Sequence, residues 1–193
     1  MASEDRKRWD ERHASGHGIG APAVFLEQIF REYSWRLKPG HALDIATGKG
    51  RNALFLAERG YRVEAIDVSE VALREARKAA GERGLIVNFR QVDVDAFEFP
   101  EAAYDLVLNF NFLERSLFPK IKKALKPGGH IIFETYLIDQ QVLGHPRNPA
   151  YLLGHNELLD QFRDFRILSY REGKFSEGGK DAYRAGLFGQ KVR

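Results

Sequence analysis

Hydrophobic and polar positions change period repeatedly along this chain. Its first 20 residues are polar and glycine-punctuated, with Trp9 and Ile19 as the large apolar side chains, so this stretch cannot build a core and reads as a tail or a lid. Pro22 then suits the first turn of a helix, and Leu26, Ile29, Phe30 and Tyr33 share one helical face until Pro39-Gly40 ends it. After Gly40 short β-rich apolar runs alternate with helical stretches, the pattern of βαβ units and a parallel sheet covered by helices. The predicted strands are His41–Ala46, Arg62–Asp67, Val87–Val92, Tyr104–Phe110 and His130–Leu137.

Between these strands, Arg51–Arg59 is a helix stopped by Gly60, and Ser69 caps another that carries Leu73, Ala76 and Ala80 and closes at Gly81 and Gly84. Leu117, Ile121 and Leu125 mark a third, with Lys126-Pro127-Gly128-Gly129 as a hard stop. Ile138–Gly154 breaks the rhythm; with Pro146 and Pro149 inside it, the stretch 138–155 is expected to be a substrate-side loop. Asn156 is the expected cap of a last helix bearing Leu158, Leu159 and Phe162. Phe165–Glu172 and Tyr183–Val192 read as strands, and the polar GKFSEGGKD between them suits a hairpin connection, so this C-terminal pair is antiparallel. A single α/β domain over residues 1–193 with an antiparallel edge follows.

Composition narrows the function. Hydrophobic residues at 44% and charged residues at 30% are ordinary for a globular domain. The net charge of +3 is carried by dispersed Lys and Arg, and no aromatic–basic stretch is present, so a nucleic-acid partner is not expected. The absence of cysteine excludes a thiol nucleophile, thiolate metal sites and disulfides. The charged start has no apolar signal region, and no apolar run approaches the roughly 18 residues of a membrane span. A soluble cytoplasmic protein with no membrane partner is therefore expected. His13 and His17 have a helix-face spacing, but Ser15, Gly16 and Gly18 disfavour a helix and no third ligand is evident, so no metal is expected.

In an open parallel sheet, ligands bind beyond the carboxyl ends of the strands. Asp44 lies in the first strand, and Ala46-Thr47-Gly48-Lys49-Gly50 follows it before Arg51-Asn52 opens a helix. Gly48 and Gly50 let the backbone turn and approach a ligand closely. Asp67 ends the second strand 19 residues beyond Gly48 (67 − 48), near the spacing at which an acid binds ribose hydroxyls in nucleotide folds. A nicotinamide or flavin dinucleotide enzyme is the alternative; its G-x-G-x-x-G would place a third glycine where Ala53 stands, and Asp44 would repel a pyrophosphate while suiting an ammonium group. Asp93, leaving the third strand, can accept from an adenine amino group.

ALDIATGKGRN, VEAIDVS, QVDVD, YDLVLNF and LKPGG, in this order, resemble the class I S-adenosylmethionine-dependent methyltransferases over about Gly40 to Leu137. RNALFLAERGY and HPRNPAYLL further resemble the tellurite-resistance and thiopurine methyltransferase-like branch. The resemblance implies a Rossmann-like, doubly wound, seven-stranded sheet, mostly parallel with an antiparallel C-terminal strand and helices on both faces. It implies S-adenosylmethionine as cofactor and S-adenosylhomocysteine as product. It places Gly48 and Gly50 against the cofactor's amino-acid part and Asp67 on the ribose hydroxyls, with Ala46, Thr47, Asn52 and Val68 also among the cofactor-binding residues. Asp93 and Val94 would hold the adenine, Asp44 would orient the loop or meet the ammonium through water, and Asn109 and Phe110 would line the pocket.

Methyl transfer from a sulfonium is an in-line displacement, in which the protein mainly aligns the acceptor and a general base is optional. Glu134, Tyr136, His145 and Arg147 are the polar candidates near the fifth strand's exit, with His145 the preferred base and Arg147 able to attract an anionic acceptor. Trp9 and Arg12 would let the N-terminal segment close over the cofactor. The expected partner is a small-molecule acceptor. A non-catalytic S-adenosylmethionine or S-adenosylhomocysteine sensor, or a partner subunit, is the non-enzymatic alternative.

Overall fold

The computed structural model describes residues 10–11, 19–177 and 179–192, which cluster into two compact units dividing after Glu98. The first unit holds helix α1 (Val24–Tyr33), strand β1 (His41–Ile45), α2 (Arg51–Ala57), β2 (Arg62–Asp67), α3 (Glu70–Glu82) and β3 (Val87–Gln91). β2 pairs in parallel with both β1 and β3, from His41 opposite Arg62 to Ile45 opposite Ile66 and from Val63 opposite Val87 to Asp67 opposite Gln91. This register brings the carboxyl ends of β1 and β2 level. α1 buries Phe25, Leu26 and Ile29, as its 3.6-residue apolar stripe requires. α3 starts where Ser69 Oγ accepts from the Ala72 N–H, and it packs a face of Ala72, Leu73, Ala76, Ala79 and Ala80. Those small side chains set how closely the helix approaches the loop after β1.

The second unit holds β4 (Tyr104–Phe110), α4 (Leu117–Ala124), β5 (Leu125–Tyr136), 3₁₀ turns at Ile138–Val142 and Pro149–Tyr151, α5 (Glu157–Gln161), β6 (Arg166–Glu177) and β7 (Lys180–Gln190). β4 and β5 are parallel, whereas β7 runs antiparallel to both β5 and β6. The strand order is β3-β2-β1 in the first unit and β4-β5-β7-β6 in the second, the mixed, mostly parallel seven-stranded sheet of the Rossmann-like class. The core of the second unit is aromatic. Phe118 stacks on Phe133 at 5.6 Å and meets Phe162 edge-on at 5.7 Å, and Phe162 meets Phe165 at 5.2 Å. No described helix is long and apolar enough to cross a membrane.

Three local expectations change. The expected stop at residues 126–129 lies inside β5, because the chain is already extended at Leu125 and its turn-forming glycines are paired with Lys191. Gly128 N–H donates to Lys191 O at 2.9 Å, and Lys191 N–H donates to Gly129 O at 2.8 Å. The expected hairpin connection is mostly ladder, continuing from Gly173 opposite Arg184 to Glu177 opposite Lys180. Cross-strand pairing of Lys174 with Asp181 at 2.7 Å holds this polar extension. Asn156 does not cap α5 through its side chain; it takes a left-handed backbone (φ 59°) and donates its N–H to Glu172 Oε2 at 2.9 Å.

Candidate functional site

The loop leaving β1 is built from backbone. Ala46, Gly48 and Gly50 all have left-handed φ, at 52°, 57° and 80°. A Cβ on Gly50 would lie 2.9 Å from Ala76 Cβ and 3.2 Å from the Phe89 ring, so glycine is required there both for its φ and for the close approach of α3. Thr47 N–H donates to Ile66 O, and Gly50 N–H donates to Thr47 O, each at 3.0 Å. Asp67 anchors the loop to β2: its Oδ2 accepts from Gly48 N–H at 2.7 Å and its Oδ1 from Ser69 N–H at 2.9 Å.

Asp44 lies beneath the loop with 2% of its surface exposed. The Thr47 hydroxyl donates to Asp44 Oδ2 at 2.5 Å. Burial pushes the carboxyl up to about 7, Thr47 and the charge of Arg51 oppose the shift, and the like charge of Asp67 adds to it. Asp93 stands in the turn after β3, half-buried beside Val94, and its Oδ1 accepts from Asp95 N–H at 3.0 Å. Val68 carries its carbonyl to Gln91 Nε2 at 3.2 Å.

Asn52 has a different duty from the loop residues, because its buried Oδ1 accepts from Ala23 N–H at 2.9 Å and fixes the start of α1. Asp10 was not among the expected residues, yet its Oδ1 accepts from Ser69 Oγ at 2.5 Å at the start of α3. The neighbouring candidates Trp9 and Arg12, like His13 and His17, lie outside the described residues.

In the second unit the exits of β4 and β5 carry long side chains tied into one network. Asn109 Nδ2 donates to Phe112 O at 2.7 Å, and Phe110 is buried. Glu134, 1% exposed, receives Arg171, which also pairs with Glu177 at 2.7 Å, and it faces Arg184 at 3.7 Å. Arg184 donates to Asn111 Oδ1 at 2.6 Å and to the Tyr136 hydroxyl at 3.0 Å, and its guanidinium lies 4.3 Å over the Tyr136 ring. Burial raises the Glu134 carboxyl, and the two guanidiniums oppose that shift. Glu134 and Tyr136 are thus brought together through Arg184.

His145 and Arg147 expose their side chains and are held through their backbone carbonyls. His145 O accepts from Gln140 Nε2 at 3.1 Å, and Arg147 O accepts from Gln141 Nε2 at 2.7 Å. Arg171 and Arg184 escaped the sequence reading because both lie on segments read simply as strands, and their roles depend on Glu134 from a distant strand.

Residues 42–129 match the family model described as a methyltransferase domain. The demethylmenaquinone methyltransferase of Thermus thermophilus is 38% identical over 154 residues, covering 76% of this chain and 64% of that protein. The probable S-adenosyl-L-methionine-dependent methyltransferase TehB of Haemophilus influenzae is 27% identical over 143 residues, covering 70% of this chain and 49% of that protein. These matches support a class I S-adenosylmethionine-dependent methyltransferase.

Within that class the chain resembles the TehB branch. The crystal structure of TehB from Haemophilus influenzae superposes with a TM-score of 0.77 at 20% identity, covering 95% of this chain and 67% of the other, which establishes the shared fold. The chain spans less than two thirds of the length of either curated relative, 64% of the first and 49% of the second.

The cofactor of the family is S-adenosylmethionine, and the residues at the β1, β2 and β3 exits fit it. Its ammonium suits the buried Asp44, and its vicinal hydroxyls suit a carboxylate such as Asp67. The family match sets aside the dinucleotide oxidoreductase alternative.

Proposed function

We propose that this protein is a methyltransferase that moves the S-adenosylmethionine methyl group to a small-molecule acceptor by in-line displacement. The observation that carries the reading is Asp44, a buried carboxylate held near neutrality beneath a glycine loop, which a bound ammonium group returns to its ionised form. S-adenosylmethionine supplies the electrophilic methyl group, so the chain's own task is to bind, align and exclude water.

In this reading Gly48 and Gly50, with Ala46 and Thr47, hold the amino-acid part, Asp67 and Val68 the ribose, and Asp93 with Val94 the adenine. Asn109 and Phe110 also serve the cofactor, while Asn52 supports the loop through Ala23. The acceptor is a small aromatic molecule bearing oxygen, a class supported by the Thermus relative named for demethylmenaquinone. Tyr136 under the Arg184 guanidinium supplies an aromatic surface with a positive charge at the β5 exit.

Transfer of labelled methyl from S-adenosylmethionine to a panel of quinols, catechols, thiols and amines tests the proposal. Turnover of an oxygen-bearing aromatic acceptor is the expected result. Cofactor binding without transfer to any of them would replace the enzyme by a sensor. Arg147→Ala is expected to raise KM for anionic acceptors with kcat largely kept.

A further inference from the structure

Ser69 joins the start of α3 to the carboxylate at the end of β2, and a residue from far up the chain completes the junction. Ser69 is fully buried, and each of its polar atoms is engaged. Its N–H donates to Asp67 Oδ1 at 2.9 Å, its carbonyl accepts from Leu73 N–H at 3.1 Å, and its Oγ accepts from Ala72 N–H at 3.2 Å. The hydroxyl proton goes to Asp10 Oδ1 at 2.5 Å, across a separation of 59 residues. The same Asp10 oxygen lies 3.4 Å from Val71 N–H. All of these groups belong to the first unit.

Capping alone does not require Asp10. Ser69 serves α3 as an acceptor, and that role leaves the direction of its own proton open. A buried hydroxyl must still donate, because an unmet donor away from water is costly. Asp67 is the carboxylate that Ser69 already meets through its N–H. A hydroxyl turned toward Asp67 would compete with ribose for that carboxylate and draw Oγ away from Ala72 N–H. Asp10 offers a charged acceptor instead, at the helix start where the α3 dipole favours negative charge.

We propose that Asp10 is a positioning residue of the cofactor site: by taking the Ser69 proton it keeps that hydroxyl off Asp67, which then holds the orientation that Gly48 N–H and Ser69 N–H give it for the ribose hydroxyls. The proposal rests on the methyltransferase reading above, in which Asp67 holds the ribose. Asp10 acts through Ser69 and its oxygen matters more than its charge. An amide oxygen at position 10 accepts from the hydroxyl as well, so Asp10→Asn keeps the arrangement and Asp10→Ala loses it.

Calorimetric titration of the full-length protein with S-adenosylhomocysteine and with its 2′,3′-dideoxy analogue, which lacks both ribose hydroxyls, tests the proposal. The unaltered protein is expected to prefer S-adenosylhomocysteine by at least about tenfold. Asp10→Ala is expected to weaken S-adenosylhomocysteine roughly tenfold and to leave the analogue within about twofold, since the lost orientation matters only to a ligand with hydroxyls. Asp10→Asn is expected to stay within about threefold of the unaltered protein with both ligands. Adding Ser69→Ala to Asp10→Ala removes the competing hydroxyl, so affinity for S-adenosylhomocysteine returns even though the cap is lost and Tm falls.

Equal weakening of both ligands by Asp10→Ala, unchanged affinity for S-adenosylhomocysteine, or a double variant that stays weak overturns the proposal. Unaltered protein that binds the two ligands equally overturns ribose recognition by Asp67 and the role of Asp10 with it, and leaves the cofactor reading standing. Binding of neither ligand overturns that reading as well.

Discussion

The loop after β1 and the exit of β5 solve the same problem, placing polar groups at the end of a strand, in opposite ways. The first is local: five consecutive residues, three of them left-handed, are tied to the neighbouring strand where Thr47 N–H donates to Ile66 O and Gly48 N–H to the Asp67 carboxylate. The second is distant: Glu134 on β5 takes Arg171 from β6, 37 residues away, and faces Arg184 on β7. A backbone-built site needs particular conformations at particular positions and tolerates little change there. A network of long side chains needs its partners, and removing one leaves another buried charge uncompensated.

The largest effect is expected at the network. Glu134→Ala leaves two mostly buried guanidiniums without their shared carboxylate and is expected to cost about 3–5 kcal/mol in denaturant unfolding. A loss below about 1 kcal/mol would mean that water reaches the guanidiniums, and the contrast between the two regions would collapse.

Asp44 gives the next largest effect, as a slope against pH. Its folded value of about 7 lies above its ordinary 3.8, so the folded protein holds the proton more tightly than the unfolded chain. The stability it contributes is complete below 3.8, declines as pH rises, and is lost once pH has passed about 7. Asp44→Asn should flatten that slope by up to about 1.4 kcal/mol per pH unit within the window, checked by thermal unfolding at several pH values. Saturating S-adenosylmethionine should flatten it in the unaltered protein too, by stabilising the ionised carboxylate.

Gly50→Ala sharpens the conformational side of the comparison. The left-handed φ costs about 1–2 kcal/mol for a residue with a Cβ, and the contact with Ala76 adds to it. The double variant Gly50→Ala/Ala76→Gly should recover the contact and keep the φ cost, apart from the helical cost of the new glycine. Additive losses in unfolding measurements would show that the contact is not real.

The smallest effect is expected from the exposed pair of Arg83 with Glu58 at 3.1 Å. Glu58→Ala should change stability by less than about 0.5 kcal/mol. It calibrates the network result against an ion pair that water screens.

The same contrast explains how much the sequence could show. Arg62–Asp67 and Tyr104–Phe110 have the predicted bounds because buried strands between turn residues have one reading. The glycine loop was equally readable, since left-handed backbone selects residue types directly. Residues 126–129 misled, because turn residues signal a turn whether or not a distant Lys191 pairs with them inside a strand. Arg171, Arg184 and the contact of Asp10 with Ser69 had no local signal, since each depends on which segments become neighbours. Asn52 carried the family pattern but serves the start of α1, a role visible only once Ala23 lies beside it.

The account's central claim is that the β1 loop, Asp44 and Asp67 form a site for a cationic nucleoside. Calorimetric titration with S-adenosylmethionine, S-adenosylhomocysteine and NAD tests it most directly, in the unaltered protein and in Asp67→Ala. Binding of the first two and not NAD, weakened at least about tenfold by the substitution, is the predicted result. Binding of NAD alone, or S-adenosylmethionine affinity that Asp67→Ala leaves unchanged, would contradict it.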